Sequence, residues 1–385
     1  MNSGLSDEII ERMDLSLNLS PDEIMELIDN ELKAESRKWG LSLKEREILR
    51  KQIYYQIRQL GVLQELIDDS EITEIMVNGT DNIFIEKHGK LIQLEEGFSS
   101  KEKLRQVIWQ ITADCNRVVN ESSPIVDARL KDGARVNVVL DPVALNGPIL
   151  TIRRFPPEPI KMKDLIEYGS ITPECSDFIK MCVVSGLNIL VSGGTGSGKT
   201  TFLNAISAYI PSDQRVITIE DSAELQLQNL PNLVRMETRN ANVEGCREIT
   251  IRDLLKTSLR MRPDRIIVGE VRSKECIDML QSVNVGHSAM TTVHANSVRD
   301  VVSRLETMVL MGMEMPLSAI RGQIVSGFDL LIHLGRCEDG SRKVFEIAEP
   351  TGIRNGEVVV RTLFKLKEGK LIKLADINNE KVVWK

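Results

Sequence analysis

One eight-residue run constrains this chain more than any other. Gly193-Gly194-Thr195-Gly196-Ser197-Gly198-Lys199-Thr200 fits the pattern G-x-x-x-x-G-K-[ST]. An apolar run, Ile189-Leu190-Val191, precedes it, and a helical pattern from Phe202 to Ile210 follows. That context predicts a strand, a loop and a helix in succession. The glycines allow backbone N–H groups to turn inward around phosphate oxygens with no side chain in the way. The helix N-terminus adds donors and a positive dipole end. Lys199 is expected to reach the β- and γ-phosphates of a nucleotide, and the Thr200 hydroxyl to ligate Mg²⁺. Thr201, next in the helix, is counted with the same site.

A phosphate loop of this kind needs acid beside the metal. Arg265-Ile266-Ile267-Val268-Gly269-Glu270 is an apolar strand that ends on Glu270, without the usual terminal Asp. In an α/β sheet such a strand ends at the ligand crevice, so Glu270 is expected at the Mg²⁺. Val216-Ile217-Thr218-Ile219-Glu220-Asp221 is a second strand ending in acids, with Glu224 following. A carboxylate here can hold magnesium through water or orient the attacking water, and Glu220 is the candidate base. The sequence leaves the division of labour between Glu220 and Glu270 open. Gly286-His287-Ser288-Ala289-Met290-Thr291-Thr292-Val293-His294-Ala295-Asn296 holds two of the four histidines. His287 and His294 are expected near the nucleotide. A metal pair is disfavoured, because no adjacent Cys or Asp completes a ligand set.

Composition narrows the class. Lys plus Arg is 49 and Asp plus Glu is 56 over 385 residues, a net charge of −7. This balance argues against broad nucleic-acid binding, and 4% aromatics leave few platforms for stacking bases. The six cysteines form no CxxC pair and read as reduced thiols. No apolar run approaches the roughly 18 residues of a membrane span. The opening MNSGLSDEII lacks a basic n-region, so no signal peptide is expected.

Three stretches differ in pattern. Residues 1–60 read as a helical extension, with capping boxes at Ser20-Pro21-Asp22-Glu23 and Ser42-Leu43-Lys44-Glu45. Residues 61–155 read as an α+β domain. There, Asn78-Gly79 and His88-Gly89 mark turns, Ser99 and Glu102 cap a helix, and strands lie at Val136–Leu140 and Ile149–Ile152. Pro156-Pro157-Glu158-Pro159 opens a stiff linker, placed at 156–164. Residues 165–385 read as an α/β domain whose continuous β-branched runs suit parallel strands covered on both faces. Asp339-Gly340, Asn355-Gly356 and Glu368-Gly369 suggest short antiparallel hairpins at its end.

The four blocks GGTGSGKT, TIEDSAEL, RPDRIIVGEVR and GHSAMTTVHAN, in this order, resemble the ATPases of type II and type IV secretion and type IV pilus systems. EITEIMVNG, ESSPIVDARLKDGARVNVV and ILTIRRF resemble the tight-adherence (Flp-type) pilus assembly subfamily. The resemblance covers about residues 62–370. It implies a RecA-like P-loop ATPase domain behind a smaller α+β domain, with ATP and Mg²⁺ as cofactors. It also implies a homo-hexameric ring with ATP between the two domains of each protomer. The ring would drive inner-membrane platform proteins from the cytoplasmic face, peripheral to the membrane, without nucleic acid. The family's phosphate-reaching arginines map onto Arg135 and onto Arg153 or Arg154, with the choice between the last two open. Arg129 and Arg272 also fall in family-like motifs. The absence of a CxxC…CxxC module sets the chain apart from relatives with a zinc-binding insertion.

Overall fold

The computed structural model describes residues 25–33, 42–58, 60, 62–87, 90–115, 117–130, 133–154, 159–239 and 247–382. The Ser20-Pro21 box, the His88-Gly89 turn, Cys246 and Pro156–Glu158 lie outside these residues. The chain divides into two compact units, Met1–Pro157 and Glu158–Lys385.

The first unit begins with helices at 25–33 and Leu43–Arg58. Ser42 and Glu45 form a capping box there: the Glu45 N–H donates to Ser42 Oγ, and Ser42 N–H and Oγ–H donate to Glu45 Oε2 at 2.8 and 2.6 Å. A six-stranded antiparallel sheet follows. Its strands are β1 (Ile72–Asn78), β2 (Ile83–Lys87), β3 (Lys90–Gln93), β4 (Ile125–Arg129), β5 (Arg135–Val139) and β6 (Ile149–Arg153). They lie in the order β3-β2-β1-β6-β5-β4. One face is apolar by simple alternation: Ile75, Val77, Val136, Val138, Leu150 and Ile152 are all buried. The helix Lys101–Asp114 lays Leu104, Val107, Ile108 and Ile111 into the same core. Each such side chain contributes roughly 1.5–3 kcal/mol by burial. This helix is capped by Ser100, whose side chain accepts from Lys103 N–H, and not by Ser99 as the pattern suggested.

The second unit carries a nine-stranded sheet whose last strands are β13 (Arg342–Arg354), β14 (Glu357–Lys367) and β15 (Lys370–Lys373), in the order β15-β14-β13-β12-β7-β11-β10-β8-β9. Six strands run parallel: β7 (Ile189–Gly193), β8 (Val216–Glu220), β9 (Leu233–Glu237), β10 (Arg265–Val268), β11 (Ser288–Val293) and β12 (Leu330–Arg336). Every residue of β7, β8 and β10 is buried, because helices cover both faces. The helix Pro173–Val184 starts on the Thr172 cap with Pro173 at its first position. The fully buried Arg265 ties the start of β10 to its surroundings, donating to Gln214 Oε1 at 2.7 Å and to Val183 O. Burial pushes its guanidinium down to about 10.

Two features depart from the sequence reading. The stretch read as linker is already helical from Met162, in the helix Met162–Glu167. The closing hairpins are not short: β13 (Arg342–Arg354) and β14 (Glu357–Lys367) are long strands that, with β15 (Lys370–Lys373), extend the main sheet antiparallel to β12. Their turns use Asn355-Gly356 and Glu368-Gly369, all four residues at positive φ, as two-residue primed turns require. Among the described residues no helix is long and apolar enough to cross a membrane.

Candidate active site

The phosphate loop lies at the C-terminal end of β7, where an open α/β sheet binds ligands. It leads into the helix Lys199–Ser207, with Gly198 as N-cap at φ 90°. Gly196 also has positive φ, at 70°. Gly193 is required for space: a Cβ there would stand 2.4 Å from Ser197 Oγ and 2.6 Å from Leu334 O. The Ser197 hydroxyl closes the loop by donating to Gly194 O at 2.9 Å. Thr200 and Thr201 are half-buried in the first turn of the helix.

Lys199 is folded back into its own loop. Its ammonium donates to Gly193 O at 3.0 Å and Gly194 O at 3.1 Å, and lies 3.3 Å from His294 Nε2. The side chain is buried, and that burial lowers the ammonium pKa against the opposing pull of Glu270. The lysine therefore holds two weak carbonyl contacts that a phosphate can displace.

Glu270 stands two residues beyond β10 and joins the neighbouring strand ends. Its Oε2 accepts from Arg272 Nε at 2.7 Å and pairs with Arg272 Nη2 at 2.6 Å. Its Oε1 lies 2.9 Å from His294 Nε2. Arg272 also approaches Asp221 at 3.8 Å. His294 follows β11, and its backbone carbonyl accepts from Arg304 Nε at 3.2 Å. Burial first, then Lys199, Arg272 and Arg304, lower the imidazole pKa, while Glu270 opposes them. A neutral ring lets His294 accept from Lys199 on Nδ1, 3.4 Å away, with the Nε2 proton directed toward Glu270.

Three sequence expectations meet a different geometry. His287 precedes β11 and His294 follows it, so the two sit at opposite ends of one strand, roughly 20 Å apart at the usual rise. His287 is outside this cluster. Glu220 is 3% exposed and caps a turn rather than facing open space. Its Oε2 accepts from the N–H groups of Glu224 at 2.7 Å and Leu225 at 2.9 Å. Burial raises its pKa and these two bonds oppose the rise. Glu220 thereby holds the turn that carries Asp221 and the half-buried Glu224. Arg154 is also committed elsewhere, donating to Asp69 O and, at 3.5 Å, to Ile72 O.

The first unit offers a separate arrangement. Arg129 pairs with Arg135 across β4 and β5, and Arg135 pairs with Arg153 across β5 and β6. Directly opposite residues share a face, so the three arginines form one row, continued by Glu74 on β1 and Glu86 on β2. Arg129 is braced by its own loop, Nε donating to Gly133 O at 3.0 Å. Arg304, which supports His294, carried no sequence signal, because nothing local marks a helix residue that reaches a distant carbonyl.

Magnesium is implied by this kind of site. The protein atoms that fit it are few and oxygen-based: the Thr200 hydroxyl and Glu270, whose buried Oε1 makes no hydrogen bond of good geometry. Among the described residues no group of three or more His, Cys, Asp or Glu side chains could cage a metal. Mg²⁺ leans on substrate phosphates and water more than on protein ligands.

Strand, glycine loop, buried lysine and strand-end glutamate on a mostly parallel sheet together define a P-loop protein. Residues 56–361 match the family model "Type II/IV secretion system protein", and the chain belongs to that family. A putative conjugal transfer protein of Mycobacterium tuberculosis is 34% identical over 295 residues, covering 75% of this chain and 83% of the relative. The conjugal transfer protein TrbB of Rhizobium radiobacter is 31% identical over 306 residues, covering 78% and 91%. Among solved structures, the Legionella pneumophila ATPase DotB shares the fold at TM-score 0.54 and 21% identity, covering 74% and 79%. The pilus retraction motor PilT with bound ADP does so at 0.55 and 19%, covering 82% and 83%. Both likenesses are of fold, and they extend over the antiparallel sheet of the first unit and the mostly parallel sheet of the second.

Proposed function

We propose that this protein is an ATP-hydrolysing motor for protein secretion or pilus assembly, of the tight-adherence (Flp-type) kind. One observation carries the reading. Lys199, Glu270, Arg272 and His294 converge on one phosphate loop at the C-terminal ends of adjoining parallel strands. The backbone N–H groups of Gly194–Lys199 cradle the phosphates, and Lys199 leaves its carbonyl contacts to take the β- and γ-phosphates. Thr200 and Glu270 would hold Mg²⁺, which when bound would supply positive charge against the charge developing on the transferred phosphoryl group. Water is oriented by the acidic turn that Glu220 fixes. His294 reads the state of the phosphate through Lys199 and Glu270. By family resemblance, Arg135 and Arg153 are the arginines assigned to phosphate charge; they share one face of the first unit's sheet. The working form is a homo-hexamer at the cytoplasmic face of the membrane, pushing on platform proteins.

Phosphate release by the purified chain tests the reading. Wild-type protein with ATP and Mg²⁺ turns over, chelation stops it, and Lys199→Ala lowers kcat by about 10²-fold or more. Equal turnover by wild type and Lys199→Ala would remove the ATPase reading.

A further inference from the structure

Ser192 carries the last side chain before the glycines of the phosphate loop, and it is fully buried. Parallel register sets it beside His333 on β12, and sets Gly193 beside Leu334. Ser192 Oγ lies 3.0 Å from His333 Nδ1 and 3.2 Å from Ile332 O. The hydroxyl has one proton, so it cannot donate to both. Both contacts are made at once when Nδ1 carries the ring proton: Nδ1–H then donates to Oγ, and Oγ–H donates to Ile332 O.

An irregularity in the C-terminal hairpin holds His333 from its other side. His333 pairs with Glu346 and Leu334 with Val344, so Phe345 is an extra residue in β13. Such a bulge re-aims a side chain. The Phe345 ring meets the imidazole at 76°, with centroids 6.2 Å apart. It also lies on Gly335, where a Cβ would stand 2.4 Å from the ring. The histidine is thus boxed between Ser192 and an aromatic edge contact.

The charges around the ring leave it neutral. Glu346, directly opposite, is already paired: its Oε1 accepts from Thr362 Oγ1–H at 2.7 Å and its Oε2 from Lys365 Nζ at 2.6 Å. Burial lowers the imidazole pKa, with Glu346 and Asp300 opposing and Lys365 assisting. His333 therefore acts as an oriented hydrogen-bonding group and not as a charge. Its target is a residue next to the loop: Gly193 O is one of the two carbonyls on which Lys199 rests, at 3.0 Å. Gly193 has no slack, standing between Ser197 and Leu334 O. The peptide joining Ser192 to Gly193 therefore sets the direction in which the loop starts.

We propose that His333 is a positioning residue for the phosphate loop: held by the bulged hairpin, it fixes the Ser192 side chain and so the start of Gly193–Thr200. The proposal rests on the reading of that loop as a nucleotide site. It adds a residue outside all four motif blocks that touches no phosphate. Small errors in the placement of a binding group are costly, which gives such a brace its value.

The test uses binding, with Tm followed in parallel. Calorimetry on the full chain measures dissociation constants for ADP and for inorganic pyrophosphate. Asparagine carries its amide nitrogen on Cγ, where Nδ1 sits, whereas glutamine carries it one bond further out. His333→Gln is expected to weaken ADP and pyrophosphate by the same factor, about fivefold, the scale of one lost hydrogen bond. His333→Asn is expected to stay near wild type. Ser192→Ala repeats the loss of His333→Gln, and combining the two adds nothing, because both remove one bond. A histidine that only supports the core would lower Tm and leave both dissociation constants unchanged, which overturns the proposal. Equal losses in the Asn and Gln variants, additive losses in the double variant, or a loss confined to ADP overturn it as well. Wild-type protein that binds neither ligand overturns the nucleotide reading itself, and the proposal with it.

Discussion

The two units handle positive charge in opposite ways. At the strand ends of the second unit, each charge has a partner of its own. Arg272 grips Glu270, His294 faces it, and Lys199 rests on loop carbonyls. On the sheet face of the first unit, Arg129, Arg135 and Arg153 stand side by side in register. The first arrangement is complete by itself and must be opened by a ligand. The second is a row of three arginines that continues into Glu74, directly opposite Arg153, and then Glu86, so one face runs from cationic to acidic. Motif residues buried at a strand end are thus poised by exchangeable contacts, whereas those on the sheet face are ordered by strand register.

Substitutions can break this comparison at either unit. The largest effect is expected on the arginine row. If it acts on transition-state charge, Arg135→Ala or Arg153→Ala lowers kcat by about 10³-fold. Arg154→Ala, one residue away, instead lowers stability by about 1 kcal/mol, the scale of a lost hydrogen bond, with kcat near wild type. A kcat loss in Arg154→Ala matching that of Arg153→Ala would dissolve the distinction between row and strap. Next comes the self-neutralised cluster. Glu270→Gln removes the charge that holds Arg272 and faces His294, and lowers kcat by about 10²-fold. Steady-state kinetics read both.

The smallest effect concerns Glu220 and is read in stability. Burial raises its folded-state pKa above the usual 4.5. Below 4.5 the carboxyl is neutral whether the chain is folded or not, and the fold is undisturbed. As pH rises through the raised folded value, a buried negative charge must be carried, and stability is lost. Glu220→Gln removes that loss. Its Tm relative to wild type is expected to climb by about 2 °C from pH 5 to pH 8 in a melting series. A Tm difference that stays flat with pH would place Glu220 in open solvent contact.

Much of this was legible in the sequence, for local reasons. The phosphate loop is a spacing of glycines, and the parallel strands are unbroken β-branched runs, so Gly193–Thr200 and β7, β8 and β10 could be located from short windows. The Asn355-Gly356 and Glu368-Gly369 turns follow from backbone chemistry at two residues. What escaped depends on three-dimensional direction. Arg153 and Arg154 are adjacent and chemically identical, and only strand register separates the one in the row from the one tied to Asp69 O. His287 and His294 share a motif but lie at opposite ends of β11. Glu220 ends a strand like a catalytic acid, yet two backbone N–H groups claim it. His333 reaches the residue before the loop from a strand far along the chain, with no local signal at all.

We propose that the strand-end cluster is a nucleotide site held shut by contacts that phosphate displaces. A crystal structure with Mg²⁺ and a non-hydrolysable ATP analogue tests it most directly. The triphosphate is expected on the Gly194–Lys199 backbone, with Lys199 moved from Gly193 O and Gly194 O to the β- and γ-phosphates and Glu270 turned toward the metal. An analogue bound elsewhere, with Lys199 still on its loop carbonyls and Glu270 still gripped by Arg272, would contradict it.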